Sequence, residues 1–371
     1  MADETESPQR IARLTPLADV LARVDALVKP VAPREVDTAA AIGRVVAGDV
    51  NTVLNPRMPL ALRDGWAVRS DLTTDASSYA PAPLPAAARI DAGEPMPAGA
   101  DAVAPLDVVV MRGGRAEIIA PIGAGEGVLP AGADADRQTT FVQEGRRLTR
   151  VQAAVLAAAG VTRLHICEPR VRVVRARAVG DDVIDAAVAL IAGEIAAAGG
   201  CVPRGDAELE TALKDDAADA IVAIGGTGSG RHDVAVRTLA RCGRVEVHGI
   251  ALAPGETAAF GAVGPRPVLL LPGRLDSALA VWLVIGRRLM ARLCGGTEVE
   301  TATKARLSRK VASTLGLAEM VPVRMRGGAA EPIASGYVPL SVLAQADGWI
   351  LVPADSEGYP PGAEVVIRPW P

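Results

Sequence analysis

The stretch AIVAIGGTGSGRHD, residues 220–233, decides the fold that the sequence predicts. Residues 221–224 form a short apolar run rich in β-branched side chains, which is typical of a strand buried inside a parallel sheet. Four glycines follow within residues 225–230, so the backbone can turn tightly and come close to a ligand. Residues 234–242 then have helical character. A strand, a glycine-rich loop and a helix start in this order predict an anion site, usually one for phosphate.

This stretch taken alone leaves other interpretations open. It is not a P-loop, because no Gly-Lys-Ser/Thr follows the glycines. It matches the dinucleotide-binding fingerprint poorly, since no acidic partner is evident after a second strand. The structural alternative is a glycine-rich turn in which Asp233 caps the following helix, because aspartate is a preferred N-cap residue.

Length and composition indicate a multi-domain chain that is neither nucleic-acid-binding nor membrane-embedded. At 371 residues the chain exceeds the usual size of one hydrophobic core. Only 2% of the residues are aromatic, so the core must consist of small aliphatic side chains. The net charge of −4 disfavours nucleic acid and anionic membranes as partners, and no apolar run is long enough to span a membrane. Four scattered cysteines and a polar N-terminus without a signal-peptide pattern suit a cytoplasmic protein.

The order of the predicted elements separates several regions. Residues 1 to about 10 are expected to be disordered, and residues 14–28 have the apolar spacing of a helix. Residues 50–141 are rich in proline and glycine, which predicts a small β domain with many turns. Strands and helices alternate over residues 171–295, which predicts a parallel sheet covered by helices on both faces. Residues 306–371 predict a small all-β domain of about four or five strands.

Shorter features complete these predictions. Residues 38–42 are expected to form a short helix closed by a glycine, residues 148–160 a second helix and residues 275–293 a long one. His165 and His248 lie in strand-like runs and are interpreted as structural. The three histidines are isolated from one another, and His232 is a functional candidate because it lies beside the glycine-rich loop.

A second glycine loop follows the buried strand predicted at residues 267–271. Pro272, Gly273 and Arg274 come directly before the long helix. Ligands of parallel sheets bind beyond the carboxyl ends of the strands, so Arg274 is a candidate for pairing with phosphate. The alternative is a solvated arginine near a helix start, where the helix dipole disfavours a positive charge.

Several stretches, in fixed order, resemble the molybdopterin molybdenumtransferases, the MoeA family that includes the gephyrin E domain. The resemblance runs from about residue 14 to the end of the chain. The stretches are RDGWAV at 63–68, DAGEPMPAGADAV at 91–103, GRRLTRVQAAVLAAAG at 145–160, IGGTGSGRHD at 224–233, APGET at 253–257, LPGRLDSA at 271–278 and ADG at 346–348.

That resemblance implies an α/β multi-domain fold and a homodimer. Its parts would be a discontinuous linker domain at residues 11–50 and 140–168, a β lid domain at 51–139, an α/β molybdopterin-binding domain with a central parallel sheet at 169–300, and a C-terminal β barrel at 301–371. It also implies an enzymatic task in molybdenum cofactor biosynthesis. The task is insertion of molybdenum from molybdate into adenylated molybdopterin with release of AMP, assisted by Mg²⁺.

The resemblance also implies a site between the lid of one subunit and the α/β domain of the other. Its acidic residues, expected to be catalytic and to bind magnesium, would be Asp64, Asp134, Asp182 and Asp233. Magnesium takes oxygen ligands and would neutralise charge on the adenylate phosphates. The substrate-binding residues would be Gly225, Gly226, Thr227, Gly228, Ser229, Gly230, Pro272, Gly273, Arg274 and Ser277.

The chain departs from the family in the basic lining of this site. Ala253 and Glu256 stand where the family has two lysines, and Glu256 would repel anions such as molybdate. Arg274 restores one positive charge. One alternative is therefore a non-catalytic molybdopterin-binding or cofactor-delivery protein with a client molybdoenzyme. Another is an activity like that of a molybdopterin adenylyltransferase, because GGTGSG looks closer to the related adenylating domains.

Overall fold

The computed structural model describes residues 9–51, 54–84, 88–136, 138–176, 182–203, 205, 207–296 and 302–371. The chain divides into two compact units. The first consists of Met1–Gly48, Glu144–Arg150 and Arg163–Pro371, and the second of Asp49–Gln143 and Val151–Thr162.

A five-stranded sheet forms the centre of the first unit. Three of its strands, adjacent in the sheet, run parallel, and the fourth runs antiparallel to both of its neighbours. The predicted parallel sheet is thus confirmed for its core, to which the structure adds one reversed strand. In spatial order the strands are β14 (Val171–Arg175), β15 (Ala220–Ile224), β19 (Arg266–Leu271), β18 (Ala259–Val263) and β16 (Arg244–His248).

Helices cover both faces of this sheet, as the alternation of elements predicts. Successive side chains of a strand point to opposite faces. Val222 and Ile224 accordingly belong to one buried cluster, and Ile221 and Ala223 belong to another. The first cluster includes residues of α1 (Leu17–Leu27), α3 (Asp182–Ala197), α6 (Leu275–Val281) and α7 (Arg287–Leu293), and the second includes residues of α4 (Leu209–Leu213) and α5 (Ala235–Cys242). No helix in the described part of the chain combines the length and the apolar character that crossing a membrane requires.

Two of the predicted helices differ in the structure. The long helix is present, but a π-helical turn, Trp282–Gly286, joins α6 to α7. Gly286 makes room for the indole of Trp282, because a Cβ there would lie 2.2 Å from a ring atom. The helix predicted at residues 38–42 is wrong. These residues form turns in which Ala40 and Ala41 donate to the carbonyl of Asp37. The helical pattern does not continue, because the N–H of Gly43 donates to the distant carbonyl of Leu148 instead of to one in the preceding turn.

The remaining strands of the first unit form a small sheet and a barrel. β1 (Arg34–Asp37), β13 (Arg163–Cys167) and β2 (Val45–Val46) form an antiparallel sheet in the order β1-β13-β2. The barrel confirms the predicted C-terminal β domain, because the pairings of its five strands close into a ring. Its strands are β20 (Thr303–Leu307), β22 (Ala318–Arg326), β23 (Ala329–Pro332), β24 (Gly348–Val352) and β26 (Glu364–Pro369), accompanied by β21 (Val311–Ala312), β25 (Gly358–Tyr359) and α8 (Leu340–Leu343).

The barrel is joined to the α/β part by pairing and by packing. β17 (Leu252–Ala253) adds to the barrel sheet as a parallel neighbour of β22. Leu279 and Leu283 of the long helix belong to one apolar cluster with Met320 and Trp349 of the barrel. The α/β part and the barrel therefore share core.

The second unit is built from short strands and turns, which confirms the predicted β-rich texture. One of its sheets has the order β7 (Ala88–Ile90), β5 (Gly65–Val68), β8 (Ala102–Ala104), and another has the order β6 (Ala82–Pro83), β10 (Arg115–Ile118), β9 (Val109–Arg112). In addition, β11 (Val128–Leu129) pairs with β4 (Leu60–Ala61), and β12 (Thr140–Val142) pairs with β3 (Val50–Asn51). Helix α2 (Arg150–Ala158) belongs to this unit from Val151 onward.

The four cysteines are free thiols in two kinds of environment. Cys167 and Cys294 are buried, whereas Cys201 is exposed and Cys242 is half-buried. Burial raises the pKa of the Cys294 thiol to about 12 and also raises the pKa of Cys167. Because the thiolate is the reactive form, we expect iodoacetamide at about pH 8 to modify Cys201 and Cys242 in the folded protein. Peptide mass spectrometry should find Cys167 and Cys294 modified only after unfolding or at strongly alkaline pH, and rapid native labelling of Cys294 would contradict this.

Candidate functional site

A cavity of about 520 Å³ lies at the carboxyl ends of β15 and β19. The glycine-rich loop follows β15, and the second glycine loop follows β19. The first turn of α3 and residues 255–257 complete the lining. The cavity brings together eight of the predicted site residues, namely Gly226, Thr227, Gly228, Asp233, Pro272, Gly273, Arg274 and Ser277.

Glycine is required at the start of the loop. Gly225 and Gly226 have φ angles of +94° and +67°, a region that side chains other than glycine rarely adopt. A Cβ added at Gly273 would lie 3.5 Å from the Cα of Gly225, so the two glycine loops lie next to each other. Gly225 and Gly226 therefore turn the chain at the end of β15, beside the loop that follows β19.

Asp233 closes the glycine-rich loop on itself. Its Oδ2 accepts a hydrogen bond of 2.8 Å from the backbone N–H of Gly230. A Cβ at Gly228 or Gly230 would lie 2.8 or 2.9 Å from that oxygen, so a side chain at either position would displace the carboxylate. The N-cap residue of α5 is Val234, and no side chain caps the helix. The interpretation of Asp233 as a helix N-cap is therefore wrong.

The backbone of the loop presents free hydrogen-bond donors. Within the described residues, the N–H groups of Thr227, Gly228 and Ser229 donate to no protein acceptor. Thr227 and Gly228 line the cavity, and Ser229 follows them directly. Consecutive backbone N–H groups of this kind form a concave anion site. The loop therefore has the local chemistry that its glycine pattern predicts.

Arg274 is held at the cavity by the residues around it. Its Nε and Nη2 donate to Asp276 over 3.1 and 2.5 Å, and its guanidinium lies 4.6 Å from the ring centre of Tyr337. The hydrogen bond to Asp276 raises the pKa of Arg274 above its usual value. Asp276 also accepts the N–H groups of Ser277 and Val338, so its carboxylate is fixed by the backbone. Arg274 thus has a defined orientation although 58% of its side chain remains exposed.

The other polar groups of the cavity are hydroxyls and carboxylates. The Oγ1 atoms of Thr227 and Thr257 lie 3.0 Å apart and form a hydrogen bond. Glu256 lines the cavity, whereas Ala253 lies buried in β17 and outside the lining. Of the two positions where the family has lysines, only that of Glu256 therefore faces this cavity.

The remaining predicted residues lie elsewhere. Asp182 is the exposed first residue of α3, next to Val183 of the lining. Asp64 and Asp134 are exposed residues of the second unit, where Asp64 accepts a hydrogen bond of 2.8 Å from the N–H of Ala92. Gly225, Ser229 and Gly230 belong to the loop but not to the lining of the cavity. The catalytic and magnesium-binding roles of Asp64, Asp134 and Asp182 stay predictions.

The positions of the carboxylates show which of them could hold a metal ion together. Across the described ranges, no group of three or more His, Cys, Asp or Glu side chains is placed to hold a metal ion. The predicted four-aspartate site is therefore not assembled within either unit. Magnesium can also be bound by one or two carboxylates together with substrate phosphates. Asp233 and Glu256 in the cavity fit that smaller requirement.

Sequence reasoning missed several residues that shape this site. Thr257 and Asp276 lie in the stretches APGET and LPGRLDSA but were not named as site residues, and Tyr337 lies in none of the quoted stretches. All three meet the site through the fold. His248, interpreted as structural, contacts the carbonyl oxygen of Thr227. Gln9 falls in the segment expected to be disordered, but its side chain is buried and 7% exposed. Residues 1–8 of that segment lie outside the described residues.

The predicted candidate His232 does not line this cavity. It lines a second cavity of about 880 Å³, together with Arg175, Glu208 and Arg231. That cavity lies beside the end of β14 and the starts of α4 and α5. The functional role considered for His232 stays a prediction.

Comparison with known proteins identifies the class to which this fold and site belong. Three family models match successive parts of the chain: the MoeA N-terminal region (domain I and II) at residues 15–160, a probable molybdopterin binding domain at 171–292, and the MoeA C-terminal region (domain IV) at 304–370. Together they span nearly the whole sequence. The cavity lies within the part that matches the molybdopterin binding domain.

Individual relatives agree with the family models. A putative molybdopterin biosynthesis protein of Methanocaldococcus jannaschii is 25% identical and covers 90% of this chain and 91% of its own length. Molybdopterin molybdenumtransferase 1 of Mycobacterium tuberculosis is 28% identical over 73% of this chain and 71% of its own. The crystal structure of a molybdopterin biosynthesis MoeA protein from Pyrococcus horikoshii has a TM-score of 0.80 at 26% identity, covering 97% of this chain and 100% of that one. The chain belongs to the MoeA family, whose role lies in molybdenum cofactor biosynthesis.

Proposed function

We propose that this chain is a molybdopterin molybdenumtransferase, which inserts molybdenum from molybdate into adenylated molybdopterin and releases AMP. The observation that carries the proposal is the row of backbone N–H groups of Thr227, Gly228 and Ser229, which have no partner within the described residues. Such groups bind phosphate without requiring a lysine. Adenylated molybdopterin offers phosphates to them, and the cavity of about 520 Å³ is of the size that small-molecule ligands occupy.

The other residues of the cavity have separate roles in this proposal. Arg274 supplies the positive charge that pairs with a phosphate, because Asp276 and Tyr337 hold its guanidinium at the cavity. The hydroxyls of Thr227 and Thr257 are hydrogen-bonded to each other, so one of them keeps a proton that can be donated to a polar atom of the substrate. Asp233 keeps the loop curled through its bond to Gly230. These residues bind and orient the substrate.

Magnesium and a second subunit complete the proposal. When bound, Mg²⁺ would neutralise charge on the phosphates and polarise the bond that is cleaved, with Asp233 and Glu256 as the carboxylates that line the cavity. Asp64, Asp134 and Asp182 are proposed to act with them in a cytoplasmic homodimer, where the lid of one subunit serves the α/β domain of the other. The family resemblance supports this arrangement and the four-part domain division.

A turnover assay tests the proposal. Purified protein is given adenylated molybdopterin, Mg²⁺ and molybdate, and AMP release is followed with and without molybdate. We expect molybdate-dependent release, reduced by about 10- to 100-fold in kcat/KM in Arg274→Ala, because a charge-assisted contact to the phosphate is lost. Arg326→Ala is the control, because Arg326 lies on the barrel and its side chain is largely exposed.

One observation favours a second candidate, a molybdopterin-binding or cofactor-delivery protein. Glu256 places a negative charge in the cavity at a position where the family has a lysine, which disfavours molybdate. Tight binding of molybdopterin without AMP release would support this candidate and exclude the transferase. Transfer of AMP from ATP to molybdopterin would instead indicate the adenylyltransferase-like activity.

A further inference from the structure

The segment before α1 runs along the protein towards the glycine-rich loop. Thr15 pairs with the strand-like segment after β16, donating to the carbonyl of Gly249 over 2.9 Å and accepting from Ala251 over 2.8 Å. Ile11 packs against the same glycine, where a Cβ would lie 2.3 Å from its side chain. The segment then buries Gln9 at the loop, 217 residues away in sequence from the group it contacts.

Gln9 and His248 together bind the carbonyl groups of the loop. The Nε2 of Gln9 donates to the carbonyl oxygens of Gly226 and Gly228, both over 2.8 Å. The Nε2 of His248 lies 3.0 Å from the carbonyl oxygen of Thr227, so this nitrogen must carry the proton. Three consecutive carbonyl groups of the loop are therefore bound by two side chains from distant parts of the first unit.

The geometry of the peptide bond links these contacts to the cavity. In a trans peptide, the C=O of one residue and the N–H of the next point in opposite directions. Fixing the carbonyls of Gly226, Thr227 and Gly228 therefore turns the N–H groups of the three following residues away from Gln9 and His248. These are the N–H groups that have no acceptor among the described residues.

We infer that Gln9 is a positioning residue for substrate binding. Its side-chain amide holds the glycine-rich loop in the form that presents backbone N–H groups to a phosphate. The inference deepens the proposed function and rests on it for the identity of the substrate. The effect of Gln9 on the loop conformation can be measured without that substrate.

The Oε1 atom of Gln9 shows that packing alone does not explain why a glutamine stands at this position. Its Oε1 is buried and finds no hydrogen-bond partner within the described residues. A buried acceptor without a partner destabilises a fold, so an apolar side chain of similar size would serve packing better. What glutamine adds at this position is the donor that reaches two carbonyl groups.

Two substitutions separate the donor from the shape. Gln9→Met keeps the size of the side chain and removes the donor together with the orphan acceptor. Gln9→Glu keeps the shape, but an ionised carboxylate cannot donate to a carbonyl. Arg10→Ala is the matched control, because this neighbouring residue is exposed.

The first measurement is hydrogen–deuterium exchange of a peptide covering the loop. The N–H groups of Gly230, Asp233 and Ala235 are hydrogen-bonded within the loop or to it, so we expect them to exchange at least about 10-fold faster in both Gln9 variants. The thermal midpoint of Gln9→Met should equal or exceed that of the unmodified protein. Unchanged exchange in both variants would overturn the inference. Faster exchange in Gln9→Met together with a lowered thermal midpoint would also overturn it, because general destabilisation would then explain the faster exchange.

The second measurement is binding of inorganic pyrophosphate, used as the probe. We expect about 10-fold weaker binding in both Gln9 variants and no change in Arg10→Ala. Without the donor of Gln9 the loop must be ordered when the ligand binds, and the entropy lost in ordering it weakens binding. In the turnover assay, the loss should lie in KM more than in kcat. Faster loop exchange and weaker pyrophosphate binding in a protein that releases no AMP would reject the proposed function and leave the role of Gln9 standing.

Discussion

Replacing Asp276 by alanine will lower the free energy of unfolding by about 2–4 kcal/mol and also weaken ligand binding. The carboxylate is 3% exposed and accepts hydrogen bonds from Arg274, Ser277 and Val338. Its removal leaves the N–H groups of Ser277 and Val338 without the acceptor that now serves them. Arg274 also loses its ion-pair partner and with it a fixed orientation at the cavity. Urea denaturation and pyrophosphate titration measure the two effects.

The second unit offers a closely matched control for this change. Arg69 and Asp71 have the same spacing and bond lengths, with Nε and Nη2 of the arginine donating over 3.1 and 2.5 Å. Both side chains are exposed, however, and an exposed ion pair contributes little to stability. Asp71→Ala should therefore change stability little and leave binding intact. Equal losses in the two variants would show that burial of Asp276 is not what makes it important.

Replacing Gly226 by alanine will reduce kcat/KM for AMP release by about 100-fold or more, with a loss of stability of only about 1–2 kcal/mol. The φ angle of +67° is unfavourable for alanine, and the added Cβ would lie 3.4 Å from the Cβ of Ala235. The backbone relieves this by rotating. Rotation moves the N–H of Thr227, the first of the three donors that face the proposed phosphate. The assay is steady-state AMP release, with pyrophosphate affinity as a readout that does not depend on turnover.

Gly264→Ala is the control for the effect of the backbone angle alone. Gly264 has a φ angle of +58° in the turn between β18 and β19, and an added Cβ would meet no atom within 4 Å. It should show a similar loss of stability and unchanged kinetics. If Gly226→Ala binds and turns over normally, the loop does not hold the substrate.

The parts of the fold that depend on local sequence were predictable. β15 and the glycine loop after it follow from a short β-branched run and the glycines at 225–230, which are signals within one segment. Asp233 was predictable as a residue of the loop, but its hydrogen-bond partner was not. Whether its carboxylate turns towards the helix or back to Gly230 depends on how the glycines curl the loop.

Contacts between distant segments could not be predicted from one sequence. Asp276 meets the N–H of Val338 across 62 residues, and Gln9 meets Gly226 across 217. Neither lies in a pattern that indicates its partner, because glutamine and aspartate are common in solvated loops. The expectation of disorder near Gln9 followed polarity, whereas pairing along residues 249–251 determines the path of this segment. The roles of Asp64, Asp134 and Asp182 also depend on contacts between distant segments, and they stay predictions.

The pairing of β17 with β22 bears on whether the molybdopterin-binding part can exist as a separate module. β17 ends two residues before Gly255 of the cavity lining, and its partner strand belongs to the barrel. A fragment that stops at residue 296 would expose Leu279, Leu283 and the unpaired edge of β17 to water. Exposed apolar surface next to an open strand edge promotes aggregation. In this chain the barrel is therefore a structural partner of the cavity, and exchanging or deleting it in a fusion protein would alter the cavity wall.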